Sequence, residues 1–127
     1  MTALSDSDAQ PLPDNPLPPC PDTPNCERVS EGYEQSPEVL YSAAQEALDS
    51  LGPATLRLHP EERRVEAVYR VALVFKDDVD VAVRARADSG SALYIRSASR
   101  VGYDDLGVNR RRVERFFEAL HQALDNT

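Results

Sequence analysis

The sequence predicts an α+β fold: a four-stranded antiparallel meander with one helix before and one after the strands, both helices on one face. Three observations carry this. A strongly signalled helix precedes residue 52, four segments of strand-like alternation follow, and a second helical stripe closes the 127-residue chain.

The first helix opens at Ser36, a good N-cap, with Pro37 at the first helical position. Leu40, Ala44, Ala47 and Leu51 then share one face, Gly52 ends the helix and Pro53 prevents its continuation. Ala54, Leu56 and Leu58 alternate with Thr55, Arg57 and His59, and Pro60-Glu61-Glu62 makes a turn. A β-branched and aromatic run spans residues 64–75 and is broken at Lys76-Asp77-Asp78. Val79, Val81, Val83 and Ala85 then alternate with Asp80, Ala82, Arg84 and Arg86 up to the turn Asp88–Ser91. A fourth strand covers Ala92–Ser99. The last helix runs from Asn109 to Leu124, with Val113, Phe117, Leu120 and Leu124 as its buried stripe.

Residues 1–19 form a proline-rich acidic arm, expected to be extended or disordered, and residues 20–127 form a single domain. Seven of the ten prolines fall within residues 1–24. The first 34 residues carry a charge of −6 and the remainder only −2. Such a balance excludes nucleic acid as the main partner, which needs a basic surface, and an acidic arm is repelled by anionic lipid. No run approaches the roughly 18 apolar residues of a membrane span, and no secretory signal is visible, so a cytoplasmic location without membrane partners is expected.

In an up-and-down meander the Asp77/Asp78 turn, the Arg100–Asn109 loop and the start of the last helix lie at one end, with His59 and Asp88 at the other. Asp77, Asp78, Arg100, Asp104, Asp105, Asn109 and Arg110 therefore gather, together with Arg111 and Arg112. Three arginines oppose the positive end of a helix dipole, and two compensations are open. One is a bound anion at the free N–H groups. The other is an internal ion-pair network with the nearby acids. Along the fourth strand Leu93, Ile95, Ser97 and Ser99 face the core, where the hydroxyls need partners. Tyr94, Arg96, Ala98 and Arg100 face the opposite side, with Arg57, Arg70 and Arg84, paired to Glu66 and Asp80 or docking a partner.

Cys20 and Cys26 have five residues between them, which permits either a small disulfide loop or two free thiols. Zinc would need His59 and His121, which lie in separate elements. No nucleophile–base set, phosphate loop or metalloprotease motif is present.

Three motifs together resemble the domain-of-unknown-function family 1499 of bacteria and plant plastids. They are CPDTPNC (20–26), FKDDVDV (75–81) and RSASRVGYDDLGVNRRRV (96–113). The resemblance covers about residues 20–124. It implies that the motifs belong together, and it brings no established activity. The expected function is a binding or assembly module, monomeric or weakly dimeric and without a cofactor. It holds a small anion or partner carboxylate at Arg100–Arg112. The alternatives are a purely structural domain with an internal Asp/Arg network, or a carboxylate- or magnesium-dependent enzyme using Asp77, Asp78, Asp104 and Asp105.

Overall fold

A computed structural model describes residues 12–102 and 104–126. The arm's first eleven residues, Tyr103 and Thr127 lie outside the described residues. The element order is β1 (Cys26–Tyr33), α1 (Pro37–Ser50), β2 (Thr55–His59), β3 (Arg64–Val71), β4 (Phe75–Ala85), β5 (Ser91–Ser99) and α2 (Val108–Asp125). The α+β class and the antiparallel meander of β2 to β5 stand, but the sheet has five strands, in the order β1-β5-β4-β3-β2.

The added strand, β1, pairs antiparallel with β5 from Cys26↔Ala98 to Tyr33↔Ser91. The first helix therefore follows a strand instead of preceding them all. The sequence CERVSEGY hides this strand. Only Val29 is a large aliphatic residue, and an edge strand buries too little to need alternation. The connection β1–α1–β2 carries the chain from one sheet edge to the other.

A second correction concerns the β3–β4 hairpin. The turn is Ala72-Leu73-Val74, not Lys76–Asp78, and Asp77 and Asp78 lie inside β4. No Gly, Asn or Pro marks the turn. Ala72 itself takes the left-handed conformation, with φ 57°.

α1 forms as its cap predicts: Ser36 Oγ accepts a hydrogen bond from the Val39 N–H at 3.3 Å. Its small face of Ala43, Ala44 and Ala47 allows close approach, and it packs on α2 and the sheet. In α2 the deepest aromatic is Phe116, wholly buried, while Phe117 is only partly covered. The main core joins both helices to Val65, Ala67, Val79, Val81, Val83, Leu93 and Ile95 of the sheet.

The other sheet face is covered in part by the chain's own residues 12–19. Leu17 is buried with Ala82, Ala92 and Tyr94, and Leu12 packs beside them. The polar contacts suit a proline-rich segment, which offers carbonyls but few N–H donors needing partners. Arg28 donates to the Leu17 carbonyl at 2.9 Å, Arg84 to the Asp14 carbonyl at 2.9 Å and Arg96 to the Pro19 carbonyl at 3.4 Å. The Tyr94 hydroxyl donates to the Pro13 carbonyl. Arg84 and Arg96 thus reach this segment. The acid Asp80 lies 3.5 Å from Arg64.

Candidate functional site

The topology brings the start of β1, the end of α1, the β3–β4 turn, the end of β5 and the start of α2 to one end of the sheet. His59 and the β4–β5 turn lie at the other end, as the meander requires.

Of the four expected aspartates, Asp77, Asp104 and Asp105 line one cleft and Asp78 does not. Asp77 and Asp78 are neighbours in a strand, so their side chains leave opposite faces. Asp78 pairs with Arg100, whose Nε and Nη2 each donate at 2.9 Å in a fork, on the exposed side. Asp77 is 2% exposed, and its Oδ2 lies 2.8 Å from Arg112 Nη1 on the helix side. Arg112 is also seated over the Tyr69 ring, 5.0 Å from its centroid. The Tyr69 hydroxyl donates to the Leu48 carbonyl at 2.6 Å, tying this cluster to α1. Burial raises the Tyr69 pKa, against the pull of Arg112.

Asn109 is the centre of the polar end and is 1% exposed. Its Oδ1 accepts from Ser97 Oγ at 2.6 Å and from Arg112 Nη1 at 2.8 Å. Its Nδ2 lies within hydrogen-bond reach of Asp105 Oδ2 at 2.6 Å, Ser99 Oγ at 2.9 Å and the Asn25 carbonyl at 3.1 Å. The inward hydroxyls of β5 find their partner here.

Asp105 supplies the cap that α2 lacks at Gly107, which sits at φ 82° with no side-chain cap of its own. Its Oδ2 accepts from the Asn109 N–H and its Oδ1 from the Gly107 N–H, both at 2.9 Å. Partial burial pushes the Asp105 carboxyl upward, but the Asn109 and Gly107 donors outweigh it and hold the carboxyl below its ordinary value. Asp104 Oδ1 accepts from the Leu106 N–H at 2.9 Å. Internal carboxylates thus serve this helix end. Arg110 is exposed, and its side chain makes no hydrogen bond or ion pair among the described residues.

The cysteines form a disulfide, and its loop is part of the same end. Asn25 Nδ2 donates to the Gly102 carbonyl at 2.6 Å, and the Asn25 carbonyl accepts from the Ser99 N–H at 3.0 Å. With a sequence separation of 6, opening the bond by Cys20→Ser with Cys26→Ser is expected to cost about 2 kcal/mol. Urea unfolding of the oxidised protein and the double variant measures this. A loss below about 0.5 kcal/mol would show that the loop is held by Asn25 alone.

Above this scaffold lies a cleft of about 390 Å³, with Val71, Phe75, Val101, Leu106 and Val108 as its apolar walls. Leu73 is 91% exposed, Leu106 82% and Val74 78%, and Phe75 and Val101 are also exposed. Leu106, like Ala72, takes the left-handed backbone, with φ 55°. Among the described residues no group of three or more His, Cys, Asp or Glu side chains is arranged to hold a metal ion.

Sequence reasoning missed Asn25, Tyr69 and the apolar rim. Asn25 and Tyr69 carry no local signal. The run Leu73-Val74-Phe75 was legible only as strand.

A family model described as a protein of unknown function, DUF1499, matches residues 16–120. No curated protein matches the chain. Among solved structures, protein CV1439 from Chromobacterium violaceum is 14% identical with a TM-score of 0.54. The alignment covers 80% of this chain and 95% of that one, a likeness of fold alone. Protein of unknown function SA2116 from Staphylococcus aureus aligns at 12% identity and a TM-score of 0.42, over 80% of this chain and 93% of that one. No helix among the described residues is long and apolar enough to cross a membrane.

Proposed function

Because the chain belongs to the DUF1499 family of proteins of unknown function, which lends it no activity, we propose from its own geometry that it is a non-catalytic binding module. Its contact surface is the end of the sheet where the Arg100–Arg112 stretch meets the β3–β4 turn. The carrying observation is the apolar rim. Two separate turns each place a non-glycine residue in the left-handed region, at a cost of about 1–2 kcal/mol apiece. Each also exposes a leucine almost fully. Turns that gain nothing from such choices are polar and use Gly or Asn. Strain and exposed apolar surface at one place point to a surface kept for contact.

The Asp/Arg network beneath is scaffolding in this reading. It holds β4, β5, α2 and the disulfide loop in register so that the cleft stays open. The anionic group expected from the sequence falls to Arg111 and its neighbours, since Arg100 is committed to Asp78.

The neutral apolar dye Nile red tests the module. Wild-type protein is expected to enhance its fluorescence, and the variant Leu73→Ser with Leu106→Asn is expected to weaken binding at least about tenfold. Asn suits a left-handed position better than Leu, so the variant's melting temperature should hold or rise. Equal dye binding by both proteins, or none by the wild type, would remove the reading.

A further inference from the structure

Beside the apolar cleft lies a second hollow of about 260 Å³, between the first turns of α2 and the ends of α1 and β3. Arg111, Arg112 and Arg115 of α2 line it on one side, and Leu51, Gly52 and Tyr69 on the other. No carboxylate lines this hollow. Arg112 is matched by Asp77. The Arg111 guanidinium donates only to the Leu106 carbonyl, at 3.1 Å, and neither it nor Arg115 makes an ion pair among the described residues. Val108 and Arg111 line both the hollow and the apolar cleft, so the two adjoin.

We infer that the two hollows form one site for a single-chain amphiphile with an anionic head, its apolar chain in the Phe75/Leu106 cleft and its carboxylate among Arg111, Arg112 and Arg115. This rests on the binding-module reading and names its ligand class. The polarity of the site fixes the orientation. Asp77, Asp104 and Asp105 border the cleft and disfavour an anion there. The arginine hollow favours one, with guanidinium groups suited to a planar carboxylate. The cleft alone is within the roughly 300–1,000 Å³ of small-ligand sites, with mostly apolar walls and a few polar groups. A second copy of the chain fits less well, because a two-fold contact at this end sets Arg110, Arg111 and Lys76 against their own counterparts.

The test uses the full chain and four probes at concentrations below micelle formation: decanoate, decan-1-ol, decyltrimethylammonium and acetate. Amide chemical shifts report the location and the affinity. Decanoate is expected to bind about tenfold or more tightly than either the alcohol or the cation. It should shift Leu51 and Gly52 on the hollow side as well as Val101, Leu106 and Val108 on the cleft side. Acetate should not saturate. Arg111→Gln with Arg115→Gln should lower decanoate affinity about tenfold and leave decan-1-ol unchanged. Equal binding of decanoate, alcohol and cation would overturn the anionic class, while Nile red binding at the rim kept the module. Acetate binding as tightly as decanoate would overturn the role of the chain. Failure of Nile red as well would remove the module itself.

Discussion

Asp77→Asn should lower the unfolding free energy by about 3 kcal/mol, the range found when one partner of a buried ion pair is removed. The shape of the side chain is kept, so packing changes little. What changes is that Arg112, with a side chain 11% exposed, keeps its charge without a counterion. Its other contacts, Ser97 Oγ, Asn109 Oδ1 and the Tyr69 ring, are neutral and do not replace a carboxylate. Urea unfolding measures the loss. Removing both charges with Asp77→Asn and Arg112→Met should cost less than the two single changes together, because the stranded charge is gone. A loss below about 1 kcal/mol for Asp77→Asn would mean that water reaches Arg112 and the network is not the scaffold.

Asn109→Ala should cost a similar amount, about 3 kcal/mol, by a different route. No charge is stranded. Instead Ser97, Ser99, Arg112 and the Asn25 carbonyl each lose a partner at a buried or half-buried place, and a methyl group supplies none. Each buried polar group left unpaired costs about 1–3 kcal/mol unless water enters. Because Asn109 joins α2 to β5 and to the disulfide loop, the effect should also be spread in space. Amide exchange at Ser99, which bonds the Asn25 carbonyl, should quicken together with that at Gly107, which bonds Asp105. Loss confined to the first turn of α2 would show that Asn109 serves only its own helix.

Both variants act on residues the sequence had marked, but in a role it left open. The residue types at a binding site and in a buried network are the same, Asp, Asn and Arg. Only the surroundings decide between them, and Asn25 lies 84 residues from Asn109 in the chain. The split of Asp77 from Asp78 was readable once both were inside a strand. It was missed because Ala72-Leu73-Val74 looks like the middle of a strand, and the charged triplet after it looks like the turn. The same blindness hid β1, whose charged residues mask a core face of only Val29 and Tyr33. By contrast α1 was legible from its cap and its Gly-Pro stop, and the two faces of β5 from simple alternation. Local chemistry was enough for elements that end on glycine, proline or serine. It failed where the turn was apolar and where the strand was polar.

The crossover from β1 to β2 has a consequence for how the chain reaches this state. Strands β2 to β5 join by short connections and can pair soon after each is made. β1 precedes the other described strands in the sequence, yet its partner is β5, with Cys26 opposite Ala98. Closure of that ladder requires nearly the whole chain, and long-range pairing of this kind is slow because the loop entropy is lost before any contact repays it. The earliest of the described strands in sequence is thus expected to pair last, and with it the disulfide loop and the covering segment before it. The polar end around Asn109 is completed only at that step, so its assembly reports that the whole sheet has closed.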